Sequence, residues 1–298
     1  MLRPFALLSL LVFSCSTPKK GNTIQDLASS VEEIFAATQG EFALAFLDLS
    51  DPSNQLMINE EGNFHAASTM KTPVMIELYK QSAEGLFDIQ DSILIKNEFK
   101  SIVDGSTYSM DIGEDSQEGL YDQVGDSATI YDLMYEMITL SSNLATNILI
   151  DLVDAKNVTA TMRSLGADKI EVLRGVEDQK AYDQGLSNST TANDLMIILK
   201  AIAEGKAVEQ QEDHAAMIDI LKDQKWNDMI PKLLPSEVEV AHKTGSITGV
   251  HHDSAIVYLP DGRSYVLVLL SKNLGDFEEG TAELAKISKL VYDFMVSE

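Results

Sequence analysis

HAASTMKTPVMIELYK, residues 65–80, is the stretch on which the reading of this chain turns. Ser68 and Lys71 are three residues apart, so on a helix they share a face and their hydroxyl and amine can meet. Pro73 is tolerated best if that helix begins near Ser68 or Thr69, because first-turn amides have no intrahelical partner to lose. A serine at such a start lies near the positive end of the helix dipole, where backbone N–H groups can hold an oxyanion. A lysine beside it, stripped of water, can lose its proton and act as a base. The spacing alone is weak evidence, since Ser16 and Lys19 repeat it in a polar tether that has no core to work against.

Outward from this stretch, residues 23–39 place apolar side chains at helical spacing, with Gly40 as a stop. EFALAFLDLS (41–50) and QLMINEE (55–61) read as strands around the turn DPSN. The same grammar returns in EVEVAHKTGS (237–246), HHDSAIVYLP (251–260) and RSYVLVLLSKN (263–273), with a hairpin at Asp261-Gly262. An amphipathic helix closes the chain. Between these ends the pattern predicts helices over 72–84, 129–139, 144–154, 158–165, 191–204 and 214–221. The expected fold is therefore α+β: one antiparallel sheet built from both ends of the chain, flanked by the terminal helices, with a helical lobe inserted. The division expected is a leader and tether over 1–22 and one catalytic unit over 23–298. Its sheet lobe is drawn from about 23–67 and 225–298, its helical lobe from about 68–224. A site at the junction of the lobes is where a pocket forms.

Two further motifs give Ser68 and Lys71 company. LSSNLATNILID puts Ser141, Ser142 and Asn143 ahead of an apolar helix, where small polar residues would otherwise serve as caps. AHKTGSITG puts Lys243, Thr244, Gly245 and Ser246 at a strand end, where a cation, a hydroxyl and a glycine permitting close backbone approach suit a substrate carboxylate. Each alone reads as a cap or a hairpin edge. In this order, STMK, SSN and KTG resemble the motifs of the penicillin-recognising serine hydrolases, class A β-lactamases and their relatives, and the resemblance spans residues 23–298. It implies acyl transfer through an ester of Ser68, activated by Lys71 or by a carboxylate acting through water. The N–H groups of Ser68 and Ser246 would form the oxyanion hole, and Ser141 would pass a proton to the leaving nitrogen. Lys243 and Thr244 would hold the substrate carboxylate, and Asn143 a side-chain amide. No metal or organic cofactor is implied.

The chain departs from the pattern twice. Ser142 stands where an aspartate is usual, a change that bears on local structure more than on chemistry. The family's Glu-x-x-Leu-Asn loop is also incomplete: Glu177 is the best candidate for the base that activates water, but Lys180-Ala181 occupies the Leu-Asn position. Glu171 and Asp178 are its rivals, and an exposed loop acid is the bland reading of Glu177. His242, His251, His252 and Asp253 cluster in sequence. Adjacent histidines in a strand point to opposite faces, so a rim of histidines near the substrate is expected rather than a metal site.

The composition of the whole chain bounds its partners. Asp and Glu number 47 against 22 Lys and Arg, a net charge of −25 that disfavours nucleic acid and anionic lipid. Arg3, an apolar run from Phe5 to Phe13 and small residues around Cys15, the single cysteine, form an export signal too short to span a bilayer. Residues 12–15 resemble a bacterial lipobox, which makes Cys15 the expected lipidation site and the product a periplasmic, membrane-tethered monomer. The expected activity is hydrolysis of a small-molecule β-lactam. Alternatives are a D-Ala-D-Ala peptidase or esterase acting on cell-wall peptide, or a lipoprotein that binds β-lactam without turnover.

Overall fold

The structure, a computed structural model, describes residues 23–297. The expected export segment and the expected lipidation site Cys15 lie outside these residues. Five strands form one antiparallel sheet: β1 (Glu41–Asp48), β2 (Gln55–Ile58), β3 (Glu239–Ile247), β4 (Val250–Tyr258) and β5 (Ser264–Lys272). Their order across the sheet is β2-β1-β5-β4-β3, so a strand from the N-terminal part sits between partners from both ends of the chain. The register pairs Glu41 with Lys272 and Lys243 with Ser254. The hairpin expected at Asp261-Gly262 closes there, with Gly262 at φ 91°.

β1 and β5 are apolar in nearly unbroken runs because the sheet is covered on both faces. Phe42, Leu44, Phe46, Leu267 and Leu269 point to an outer core with Leu27 and Val31 of α1 (Ile24–Ala37) and Leu284, Val291 and Phe294 of the closing helix Phe277–Ser297. Their neighbours Ala43, Ala45, Leu47, Val266, Val268 and Leu270 point the other way, into the larger core shared with the remaining helices. One strand residue in two thus serves each core, and burial of each large side chain contributes about 1.5–3 kcal/mol.

The inner layer is built around α2 (Lys71–Ala83), whose Val74, Met75, Ile76 and Leu78 are all fully buried. Such a helix has no solvent face because α3 (Ile130–Thr139), α4 (Asn143–Val153) and α5 (Ala155–Ser164) surround it. A short α6 (Gln179–Asp183) follows, then α7 (Ala192–Ala203), which packs on β1, β4 and β5, α8 (Gln211–Lys222) and the closing helix α9 (Phe277–Ser297). Residues 85–128, left unassigned by periodicity, form short ladders such as Phe99–Lys100 on Thr107–Tyr108. These strands are too short for a period of two to show.

Candidate active site

α2 does not begin at Ser68. Residues Ala67–Met70 form a 3-10 turn, and the α-helix proper starts at Lys71, which leaves Pro73 in the first turn as its missing N–H requires. Ala67, just before Ser68, is held at φ 45° with its N–H donated to His65 Nδ1 at 3.0 Å. Ser68 is half-buried at the wall of a cavity of about 660 Å³, which Asn143, Glu177, Arg174 and Ser246 also line.

Behind that wall the two lysines converge. Lys71 Nζ donates to Ser141 O at 2.7 Å, Ser141 Oγ at 3.2 Å and Asn143 Oδ1 at 3.0 Å. Lys243 Nζ donates to the same Ser141 Oγ at 3.0 Å and to Thr244 O at 2.8 Å. A hydroxyl has two acceptor sites and one proton. With both acceptor sites occupied by amines, the Ser141 proton must point elsewhere. Both lysines are fully buried. Burial brings Lys71 down to about 7, with Asp115 and Glu177 pulling the other way. Lys243 is lowered well below the ordinary range, first by burial and then by the charge of Lys71, with Asp253 opposing. Ser141 reaches both amines from a backbone at φ 64°, which only a sharp turn into α4 allows.

Gly245 explains itself by distance. A Cβ there would lie 3.0 Å from the backbone nitrogens of Ser68 and of Thr69, so only glycine lets β3 come up against the turn that carries the serine. Ser246 is exposed on the cavity, whereas Thr244 is buried and outside its lining.

The three rival carboxylates separate cleanly. Glu171 pairs with Ser189 at the neck of the loop 171–189 and does not line the cavity. Asp178 is buried and spends both oxygens on Ser101 Oγ (2.8 Å) and the Ile102 N–H (2.9 Å). Glu177 takes the Asp111 N–H at 3.0 Å on one oxygen and faces Asn143 Nδ2 at 3.4 Å with the other, so it shares Asn143 with Lys71. Its carboxyl is raised above the usual range by burial, against its hydrogen bonds from Asp111 and Asn143. Glu177 sits at φ 60° between two pinned neighbours. Val176 is held by Asn147 through bonds of 2.7 and 3.0 Å, and Asp178 by the contacts above. Lys180, at a position where the resemblance leads one to look for leucine, turns away to Asp104 and Ser106.

The histidines correct the expectation of a rim. His242 is buried against Asp253 Oδ1 (2.9 Å), His252 is buried with Nε2 on His65 O (2.8 Å), and His251 stacks on Phe277. His251 and His252 do face opposite sides of the sheet, and no group of residues able to hold a metal occurs among the described residues. A further residue that motif reading missed is Asp115, whose carboxylate sits on the first two amides of α4. It lies in a polar loop with no periodic or motif signal around it.

These motifs belong to a known family. A model of the β-lactamase enzyme family matches residues 26–295. The chain belongs to the β-lactamase enzyme family. Among curated relatives, a β-lactamase of Bacteroides uniformis is 24% identical, covering 96% of this chain and 97% of the relative. Among solved structures, a β-lactamase from Sphaerobacter thermophilus superposes with TM-score 0.78 at 25% identity, over 92% of this chain and 97% of the other. The structure of PBP-A superposes with TM-score 0.77 at 22% identity over 92% and 97%, a likeness of fold alone. The mixed α/β architecture with its antiparallel sheet is thus that of β-lactamase structures, and the chain is an enzyme of that family.

Proposed function

We propose that this chain is an exported serine β-lactamase that opens the β-lactam amide through an acyl-enzyme on Ser68. The observation that carries the reading is the single Ser141 hydroxyl held by both buried lysines beside a cavity that Ser68 and Glu177 share. Ser68 Oγ attacks the lactam carbonyl as its proton passes to neutral Lys71, or through a water to Glu177. A pKa near 7 leaves the amine of Lys71 able to take that proton around neutrality. The oxyanion forms between the Ser68 and Ser246 N–H groups. The C–N bond breaks as the Ser141 proton moves to the leaving nitrogen, and Lys71 resupplies it. An arriving substrate carboxylate favours the protonated form of Lys243 and pairs with it, with Thr244 as its neighbour in β3, and Asn143 meets the side-chain amide.

Glu177 then takes a proton from water, hydroxide adds to the ester carbonyl, and Ser68 leaves with a proton. With Lys180 turned away, Glu177 and Asn143 are the side chains we assign to this water, and deacylation is expected to be the slow step. The N-terminal segment supports export and tethering through a lipidated Cys15.

The test is a chromogenic cephalosporin followed by absorbance while intact mass is recorded. Steady turnover through a transient adduct on Ser68 is expected. A burst with a permanent adduct instead makes the chain a binder. No reaction, with cleavage of D-Ala-D-Ala peptides or simple esters, makes it a peptidase or esterase. Glu177→Gln should still acylate yet accumulate the adduct, and undiminished hydrolysis would move the base elsewhere.

A further inference from the structure

α4 begins at the point where the site is assembled, because Ser141, Ser142 and Asn143 are its lead-in and first residue. The first amides of any helix lack intrahelical acceptors and need capping from outside. Here Ser142 Oγ takes the Ala145 N–H at 3.2 Å and leaves the two preceding amides to another group. Asp115, 28 residues upstream of Asn143, meets them: its carboxylate accepts the Asn143 N–H at 2.9 and 3.0 Å and the Leu144 N–H at 2.8 Å. The carboxylate is itself fastened by Tyr121 Oη at 3.0 Å and the Gln117 N–H at 3.1 Å, and the residue is only 9% exposed. A buried negative charge at a helix N-terminus is favourable, and charge-assisted bonds of this length are strong ones.

What Asp115 holds is more than a helix end. Asn143, whose main chain it grips, uses its side chain on Lys71 and faces Glu177, and two residues earlier Ser141 receives both lysines. If the α4 N-terminus shifted by an ångström, every one of these contacts would change together, and errors of that size in a reacting assembly cost about a hundredfold in rate.

We infer that Asp115 is a positioning residue of the reaction, a cap supplied by a remote loop that sets Ser141 and Asn143 against the two lysines. The inference rests on the serine acyl-enzyme reading above. It also accounts for Ser142: with the amides of Asn143 and Leu144 already taken by a carboxylate, a second acid at the cap would set two like charges on one helix end.

The experiment measures the rate of Ser68 acylation by stopped-flow and intact mass in wild type, Asp115→Ala, Ser142→Asp and the double variant, each with its melting temperature and its kcat and KM. Asp115→Ala is expected to slow acylation by about 10- to 100-fold, with the loss in kcat/KM carried by the acylation step. Ser142→Asp alone is expected to lower activity through charge repulsion with Asp115. In the Asp115→Ala background the same change provides a carboxylate within reach of the vacated Leu144 amide and is expected to restore acylation at least about tenfold. A merely structural role would let melting temperature recover without the rate. A folded Asp115→Ala that acylates within about threefold of wild type, or a folded double variant with no recovery, overturns the inference. Should Asp115→Ala fail to fold, the double variant decides: near-wild-type acylation supports the role, and a folded but inactive protein overturns it. Wild type that forms no Ser68 adduct overturns the serine acyl-enzyme reading and this inference with it, whereas normal wild-type acylation unaffected at Asp115 overturns the positioning role alone.

Discussion

Lys71 is the residue on which the pH behaviour turns. Burial favours the neutral amine, and the nearby carboxylates of Asp115 and Glu177 oppose it, with the balance near pH 7. If neutral Lys71 takes the Ser68 proton, acylation rises as pH climbs through about 7, since a lowered pKa places deprotonation there rather than near the ordinary lysine value. Single-turnover acylation between pH 5 and 9, flanking about 7, checks this, and a flat profile removes Lys71 as base. Lys71→Arg, which keeps charge but cannot give up its proton, is expected to cost about a thousandfold or more in acylation, within the range of general-base effects. Gly245 makes a second prediction at this scale. Its φ is not left-handed, so Gly245→Ala strains no backbone, but the new methyl lands 3.0 Å from the Ser68 and Thr69 nitrogens. Acylation should fall by about 10- to 100-fold, the equivalent of about 1–3 kcal/mol of overpacking, with the fold retained by circular dichroism. Three of the six non-glycine residues at positive φ among those described are Ala67, Ser141 and Glu177, each at the site, so strain is concentrated where groups must be aimed.

At the scale of elements, the loop 171–189 is the piece whose rigidity matters. Its neck is closed by Glu171 and Ser189, its interior by Asn188 on the Leu173 and Arg174 amides, and its far end by Asp178 on Ser101 and Ile102. Gly175 allows the close pass over α4, since a Cβ there would fall 2.2 Å from Asn147 Oδ1. Asp178→Ala frees the residue beside Glu177 while leaving Lys71, Ser141 and Lys243 in place. Deacylation is therefore expected to slow by about 10-fold or more, with acylation changed far less. Pre-steady-state burst kinetics separate the two steps, and an equal fall in both would show that the loop supports the whole site.

For the molecule as a whole, the net charge of −25 surrounds a site whose two lysines are buried. An anionic β-lactam approaches through a repulsive field that reaches beyond contact distance and is screened by salt. Raising ionic strength from about 0.01 to 0.5 M shrinks the screening length from about 30 Å to a few ångström. It should raise kcat/KM for a carboxylate-bearing substrate while leaving kcat nearly constant. A fall in kcat/KM would mean that the lysines, not the acidic surface, govern the encounter. The two cores on opposite faces of the sheet explain why the site tolerates strain: β3 and the Ala67–Met70 turn are docked on an already packed inner layer.

Much of this was legible from residues alone. The apolar runs of β1 and β5, helical spacing in α1, α3 and α9, and the three motifs are local patterns, carried by residues close together in the chain. α2 starts beyond the Ser68 or Thr69 that Pro73 suggests, since a 3-10 turn and an α-helix begin alike in sequence. The histidines were put at a rim because strand alternation tells which residues share a face but not what covers it. Ser68, Lys71, Ser141, Asn143, Glu177 and Lys243 are legible in the chain, yet the meeting of both amines on one hydroxyl, the contact of Glu177 with Asn143 and the grip of Asp115 on α4 come only from the folded structure. These are contacts across 28 to 102 residues of sequence, and no local period encodes which remote carboxylate will arrive at a given helix end.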